Sequence, residues 1–235
     1  MVELLVRPPL KRTRLVDEVT NRLRELILTD QLEPGVMIRQ VELAEQLGVS
    51  RTPLREAFRI LESDGLVRTS NGNNTMEVVR LSVDEIRQLY EVREVLDGLA
   101  ARLLAERRLS REQTEELRSS LEIMHASSNP YDGTRYGPAH ARFHCGICAA
   151  CGNQRLQSYQ SVIRLSSQSL TRRLVTLSSD AASEEEREFL RVALADAERD
   201  HREIFELVAA GDGRAAEIAA RRHIRHTTRS ELLMR

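Results

Sequence analysis

No apolar run in this 235-residue chain is long enough to span a bilayer, although hydrophobic residues make up 41% of it, so a soluble protein is expected. The N-terminus carries arginines but lacks an apolar run ending in a small-residue cleavage site, and no secretory leader is expected. Cysteine is scarce. The three present, Cys145, Cys148 and Cys151, are odd in number and crowd into one short stretch, which excludes a disulfide framework and fits a reducing cytoplasm. Charge of one sign is lacking too. A net charge of −1 speaks against an indiscriminate polyanion binder, but a specific one needs only local basic groups. Lysine occurs once, at Lys11, and arginine supplies every other basic residue, a bias that reflects genomic base composition. The length suffices for two modest domains.

What is present centres on residues 41–61. Leu43, Ala44 and Leu47 repeat at helical spacing until Gly48, which turns through positive φ at little cost and should end that helix. Ser50 is placed to cap a second helix, its hydroxyl accepting from an amide near Pro53, and Pro53 in the first turn costs no hydrogen bond. Leu54, Ala57, Phe58 and Leu61 form the buried stripe of that helix, which leaves Arg51, Thr52, Arg55 and Arg59 on other faces. Two short helices, a Gly turn and arginines opening the second helix describe a helix-turn-helix, against the plainer alternative of a helical hairpin with solvated arginines. Residues 65–70 and 75–80 alternate as strands, and Asn71-Gly72-Asn73-Asn74 between them is turn chemistry, so a wing follows the second helix.

Before this centre, residues 1–12 read as a flexible arm, and residues 13–28 as a helix with Leu15, Val19, Leu23, Leu26 and Ile27 on one stripe. Val36-Met37-Ile38 is a short strand able to pair with the wing, which completes a winged domain over residues 13–80. From Ser82 the composition changes to long helices. Capping boxes at Ser82/Glu85 and Ser110/Gln113 start helices to Glu106 and Ala126. The first has an expected apolar face of Ile86, Leu89, Val92, Val95, Leu96, Leu99, Leu103 and Leu104. A loop over residues 127–137 and helices over 138–150, 153–177, 183–210 and 213–233 follow. The fold class is therefore mainly α: an N-terminal winged helix-turn-helix and, over residues 82–235, an all-α bundle.

Four of the six histidines are arranged suggestively. His140 and His144 are four apart, hence on one helical face. His201 and His223 flank the turn Gly211-Asp212-Gly213 almost symmetrically, roughly 16 Å from it along an antiparallel pair at 1.5 Å per residue. Alanines at 209, 210, 215, 216, 219 and 220 should let the two helices approach. With His144 added, the bundle holds three imidazoles, a set suited to Zn, Ni or other transition metals, with a fourth position open. Unrelated histidines on wet or core faces are the alternative. Arg93 with Asp97 one turn later reads either as a surface ion pair or as a guanidinium fork for a carboxylate. The cysteine run invites an iron–sulfur guess, but the residues drift around one helix and lack a fourth thiolate, so packing is expected.

At this point the residues resemble a known family. Gly48-Val49-Ser50-Arg51-Thr52-Pro53-Leu54-Arg55-Glu56-Ala57 is similar to the recognition-helix signature of GntR-type bacterial transcription regulators. Tyr90-Glu91-Val92-Arg93, Arg142-Phe143-His144, Gly152-Asn153, Asp200-His201 and His223 resemble the FCD effector domain of its FadR subfamily. The resemblance runs from about residue 13 to 230. It implies a cytoplasmic bacterial regulator, nucleoid-associated when bound, whose homodimer reads a palindromic operator. It also implies a bundle that takes a small organic acid beside a divalent metal, Zn first. Arg51 and Arg55 would contact bases or phosphates, Ser50 and Thr52 phosphates, and Asn71-Gly72 the minor groove. His144, His201 and His223 would hold the metal, and Arg93 the effector carboxylate. Two departures matter. The family's usual aspartate four residues before the first histidine is His140 here, so the fourth ligand is either His140 or Asp97. Where relatives carry arginine or lysine this chain has Val41, which leaves that contact missing or supplied by Arg39. A metal-dependent hydrolase or isomerase, with Asp97 as acid or base, and a direct metal sensor are the competing expectations.

Overall fold

The structure, a computed structural model, describes residues 12–28, 31–70 and 75–229, and its contacts separate residues 1–80 from 81–235. All but the last residue of the expected N-terminal arm, the wing tip Asn71-Gly72 and the end of the last expected helix lie outside the described residues.

In the first unit, α1 (Arg12–Leu28) buries Val19, Leu23 and Ile27. Leu15 of the expected stripe, in the first turn of the helix, is 40% exposed. β1 (Met37–Arg39) leads directly into α2 (Gln40–Leu47), which stops where Gly48 adopts φ 64°. α3 (Arg51–Ser63) follows, and β2 (Val67–Thr69) and β3 (Thr75–Val78) form the hairpin. The sheet order is β1-β3-β2, all antiparallel, with Ile38 opposite Met76 and Arg68 opposite Glu77. Arg68 grips the carboxylate of Glu77 through Nε and Nη2 at 3.0 and 2.9 Å, a cross-strand pair that pins this register. Leu54, Ala57, Phe58 and Leu61 are buried as the spacing predicts, and Arg24 of α1 reaches Asp64 at 2.6 Å.

The second unit consists of α4 (Val83–Arg107), α5 (Arg111–Ala126), α6 (Gly133–Ala150), the short α7 (Gln154–Gln157), α8 (Gln160–Ser178), α9 (Glu184–Ala210) and α10 (Gly213–Arg229). Capping boxes at Ser82, Ser110 and Ser183 open α4, α5 and α9.

Four expectations are corrected. The loop 127–137 ends early, since Asp132 accepts from the Thr134 amide at 3.0 Å and starts α6 at Gly133. Gly137 marks a close approach rather than a turn: a Cβ there would lie 2.7 Å from Thr171 of α8. Pro138 accordingly sits inside the helix, where the Thr134 carbonyl loses its ladder donor. The helix expected from Asn153 is broken at Ser158 and Tyr159; Ser158 donates its hydroxyl to the Arg155 carbonyl and competes with the ladder.

The third correction concerns α4. Val92 and Val95 are 48% and 49% exposed, and the buried face runs instead through Tyr90, Arg93, Asp97, Gly98, Ala100, Ala101, Leu104 and Ala105. Polar side chains lie inside, and valines outside. Finally, only Ala216, Ala219 and Ala220 of the six alanines around the last hairpin are buried, and α10 packs most extensively on α4 rather than on α9. Gly98 allows that contact, since a Cβ there would sit 2.6 Å from Cγ of Arg221.

Candidate functional site

Within the first unit, α3 turns Arg51, Thr52 and Arg55 to solvent while Pro53, Leu54, Ala57 and Phe58 face inward. Ser50 has the extended backbone of a helix N-cap, yet its hydroxyl makes no capping bond. The third residue of the helix, whose N–H would ordinarily be its donor, is Pro53, which has none. The expected cap is thus corrected to a cap by backbone alone, and the Ser50 side chain is exposed. Arg39, at the start of α2, pairs with Glu42 at 2.9 Å on the surface.

The second unit gathers four histidines in its interior. His140 and His144 of α6 lie on the stripe Tyr136, His140, Phe143, His144, Ile147, spaced to face one side of the helix. His201 comes from α9 and His223 from α10. The αL turn at Gly211 (φ 82°) sets them side by side, with ring centroids 4.2 Å apart. All four are buried and each offers a ring nitrogen, the four lying within 4.8 Å of one another. Donors at roughly 2.0–2.1 Å around a tetrahedral Zn²⁺ are about 3.4 Å apart, so the most widely separated of these nitrogens would close by at most about 1.4 Å to share one ion.

Behind two of the rings stand carboxylates. Nδ1 of His144 is 3.1 Å from Oδ2 of Asp97, and Nδ1 of His223 is 3.5 Å from Oδ2 of Asp200, which also faces Nδ1 of His226 at 3.1 Å. A carboxylate on Nδ1 fixes the proton there and leaves the Nε2 lone pair for the interior, where Nε2 of His144 lies 3.2 Å from Nε2 of His201. His201 keeps a buried Nδ1 without a partner. Burial lowers the pKa of His144 to about 4 and outweighs the Asp97 contact, which raises it. Burial, with the neighbouring imidazoles and Arg93, holds His140 and His201 well below the ordinary value too. These rings are neutral at neutral pH, the form in which imidazole binds metal. The donor set therefore fits a transition-metal ion such as Zn or Ni.

Asp97 is not among the converging donors. Burial alone would raise its pKa, but Arg93 and the His144 hydrogen bond outweigh that and hold the carboxyl well below its usual range. Arg93 is 1% exposed, which corrects the surface ion-pair reading. It donates from Nη2 to Asp97 Oδ2 at 2.8 Å and from Nη1 to Ser166 Oγ at 3.1 Å, and lies 5.1 Å from the Tyr90 ring centroid. The polar residues of α8 face different ways. Ser166 and Ser167 are buried, while Arg164 lines an open groove with Arg111 and Arg142. Asp200 was legible only as the residue before His201. Its place at the height of His223 on the helical hairpin is the signal that would have found it.

The three cysteines are buried and free. Cys148 lies 2.9 Å from the Leu156 carbonyl and Cys151 3.1 Å from that of Cys148, and burial pushes the Cys145 and Cys148 thiols up to about 11 and 12. Thiols so raised are packing groups rather than ligands.

Comparison with known proteins agrees with this division. The FCD domain matches residues 88–226, and the gntR family of bacterial regulatory proteins matches residues 15–76. A probable D-xylose utilization operon transcriptional repressor of Paenarthrobacter nicotinovorans is 30% identical over 92% of this chain and 88% of its own length. LutR, a transcriptional regulator of Bacillus subtilis, is 29% identical over 85% of this chain and 93% of its own length. The gluconate operon repressor of Bacillus licheniformis is 29% identical over 54% of this chain and 51% of its own. Among solved structures, a GntR regulator of Rhodococcus aligns with a TM-score of 0.68 at 20% identity, covering 94% of this chain and 98% of its own. McbR/YncC of E. coli aligns with a TM-score of 0.66 at 21% identity, covering 91% and 94%. No helix among the described residues is long and apolar enough to cross a membrane.

Proposed function

Because the chain belongs to the GntR family of bacterial regulatory proteins and carries an FCD domain, it is a DNA-binding transcriptional regulator and not an enzyme, and we propose that it acts as a metabolite-released repressor with a metal in its helical unit. A homodimer binds a palindromic operator through α3 of each copy. Arg51 and Arg55 read bases or phosphates, Ser50, Thr52 and Arg39 hold phosphates, and Asn71-Gly72 touches the minor groove. A small organic acid binds at Arg93 beside a divalent metal, Zn or Ni, held by His144, His201 and His223 with His140 as the fourth donor. The observation that carries this reading is the convergence of four buried imidazoles, two of them backed by carboxylates. His140 is favoured over Asp97 because Asp97 faces the outer nitrogen of His144. The exposed Val92 and Val95 of α4 support the homodimer, since a second copy would cover them. Relatives named for D-xylose utilization and gluconate support a carbohydrate or sugar-acid operon as the target class.

The test pairs metal analysis of the purified protein with binding to the DNA upstream of its own gene, in the presence of Zn²⁺ and a panel of small carboxylates headed by gluconate. Stoichiometric metal, sequence-specific binding and release by one acid are expected. Protein without metal that still responds to an acid would remove the metal from the reading. Arg51→Ala should lose about 1–3 kcal/mol of operator binding and relax one position per half-site, and an operator selection returning the wild-type motif would exclude that contact. A second reading, in which metal itself is the signal, is favoured by the internal commitment of Arg93 to Asp97 and Ser166. Metal titration that shifts operator affinity with no acid present would select it.

A further inference from the structure

One oxygen of Asp97 serves two partners. Oδ2 accepts from Nη2 of Arg93 at 2.8 Å and lies 3.1 Å from Nδ1 of His144. The ion pair is less complete than its burial demands. A bidentate fork would use both carboxylate oxygens, yet Oδ1 of Asp97 and Nε of Arg93 are buried without partners, as is the hydroxyl of Ser167, next to Ser166 on α8. The small cavity beside Asp97 and His144 has room for about one water molecule. An anion that reaches Arg93 must therefore take over a guanidinium that an internal carboxylate now holds.

We propose that Asp97 is a positioning residue that couples metal and acid: it aims His144 at the metal, and it occupies Arg93 as an internal competitor of the incoming carboxylate. This rests on the reading that the four imidazoles hold a metal and that Arg93 anchors an acid. On the metal side, a carboxylate on Nδ1 fixes ring orientation and basicity, and losing such a partner costs about 10–100-fold in metal affinity. On the acid side, a site competent only while Arg93 is released binds more weakly by the fraction of time it is released. A carboxylate that takes Arg93 leaves Oδ2 to His144 alone, so acid binding tightens metal binding and, by linkage, metal tightens acid binding equally.

Full-length protein loaded with Co²⁺, whose visible spectrum reports ligation, and titrated with acetate as the probe carboxylate decides the matter. Asp97→Asn should weaken Co²⁺ binding by about 10–100-fold and, with Co²⁺ saturating, tighten acetate binding by about tenfold, the difference between a charged and a neutral acceptor on Arg93. Opposite movement of the two affinities is not what a merely structural role produces. Ser166→Ala, which takes away the other partner of Arg93, should leave Co²⁺ affinity at the wild-type value; a tenfold loss there would overturn the link through Oδ2. Unchanged Co²⁺ affinity in Asp97→Asn, or parallel loss of both ligands, would overturn the proposal as well. Should Asp97→Asn not fold, the His144 Nδ1–H resonance of the wild-type Co²⁺ protein serves: it should shift on adding acetate, and a fixed resonance refutes the coupling. Wild-type protein that binds no Co²⁺ at all refutes the metal reading itself.

Discussion

Arg93 and Asp97 are one helical turn apart, and their spacing alone describes a surface ion pair worth a few tenths of a kcal/mol. Burial changes the magnitude by an order. With Arg93 at 1% and Asp97 at 7% exposure, removing one partner strands a charge in the interior. Arg93→Ala should cost about 3–5 kcal/mol of unfolding free energy, whereas replacing both partners by apolar residues of similar volume should cost little or even stabilise. Denaturant melts of the two variants check this, and equal losses would show that packing, not charge, sets the cost. The histidines make a second prediction at this scale. A histidine whose folded pKa is depressed binds fewer protons folded than unfolded between the two values, so stability is lost as pH falls below the unfolded value. For His144 the window runs from 6.5 down to about 4 and corresponds to about 3 kcal/mol, and His140 and His201 act in the same direction. Metal-free protein should therefore lose stability on acidification through this window, before Asp97 begins to protonate. A stability profile flat from pH 7 to 4 would contradict it.

Elements show where periodicity failed. On α3, one face packs and the other is wet, so a single apolar stripe predicted Leu54, Ala57, Phe58 and Leu61 correctly. On α4 the same reasoning chose Val92 and Val95, but the helix turns Tyr90, Arg93 and Asp97 inward. A hydrophobic count cannot anticipate polar side chains that satisfy one another inside a core. Glycines misled in a similar way: Gly133 and Gly137 look like a loop, yet they let α6 approach Val175 and Thr171 of α8. Gly98 does the same between α4 and α10. Gly98→Ala gains up to about 1 kcal/mol of helix propensity but pushes a methyl to 2.6 Å from the root of the Arg221 side chain, which Glu217 holds at 2.7 Å. Overpacking of this kind costs about 1–3 kcal/mol, so a net loss is expected. A raised melting temperature for this variant would show that Arg221 yields freely.

At the scale of the whole molecule, metal binding should stabilise the helical unit by mass action. The three helices α6, α9 and α10 meet at the imidazoles, and a ligand bound only by the folded state adds about 2.7 kcal/mol at a hundredfold excess over its Kd. Calorimetry with Zn²⁺ or Ni²⁺ should show a melting temperature that rises with metal concentration. His201→Ala, which removes one of the two members not backed by a carboxylate, should abolish that rise. A rise that persists would place the metal elsewhere.

The sequence by itself determined the order of domains, the helix-turn-helix with its Gly48 stop and outward arginines, and the pairing of His201 with His223. Each rests on local rules: a turn residue, a helical period, a hairpin that returns on itself. Only the tertiary structure decided which face of α4 is inside, that Asp97 stands behind His144 rather than beside it, and that His140 joins the cluster. Those outcomes depend on the rotation of one helix against others distant in sequence. Such rotation follows from the pairing of buried charges and the fit of small residues, neither of which has a period that a single chain can display.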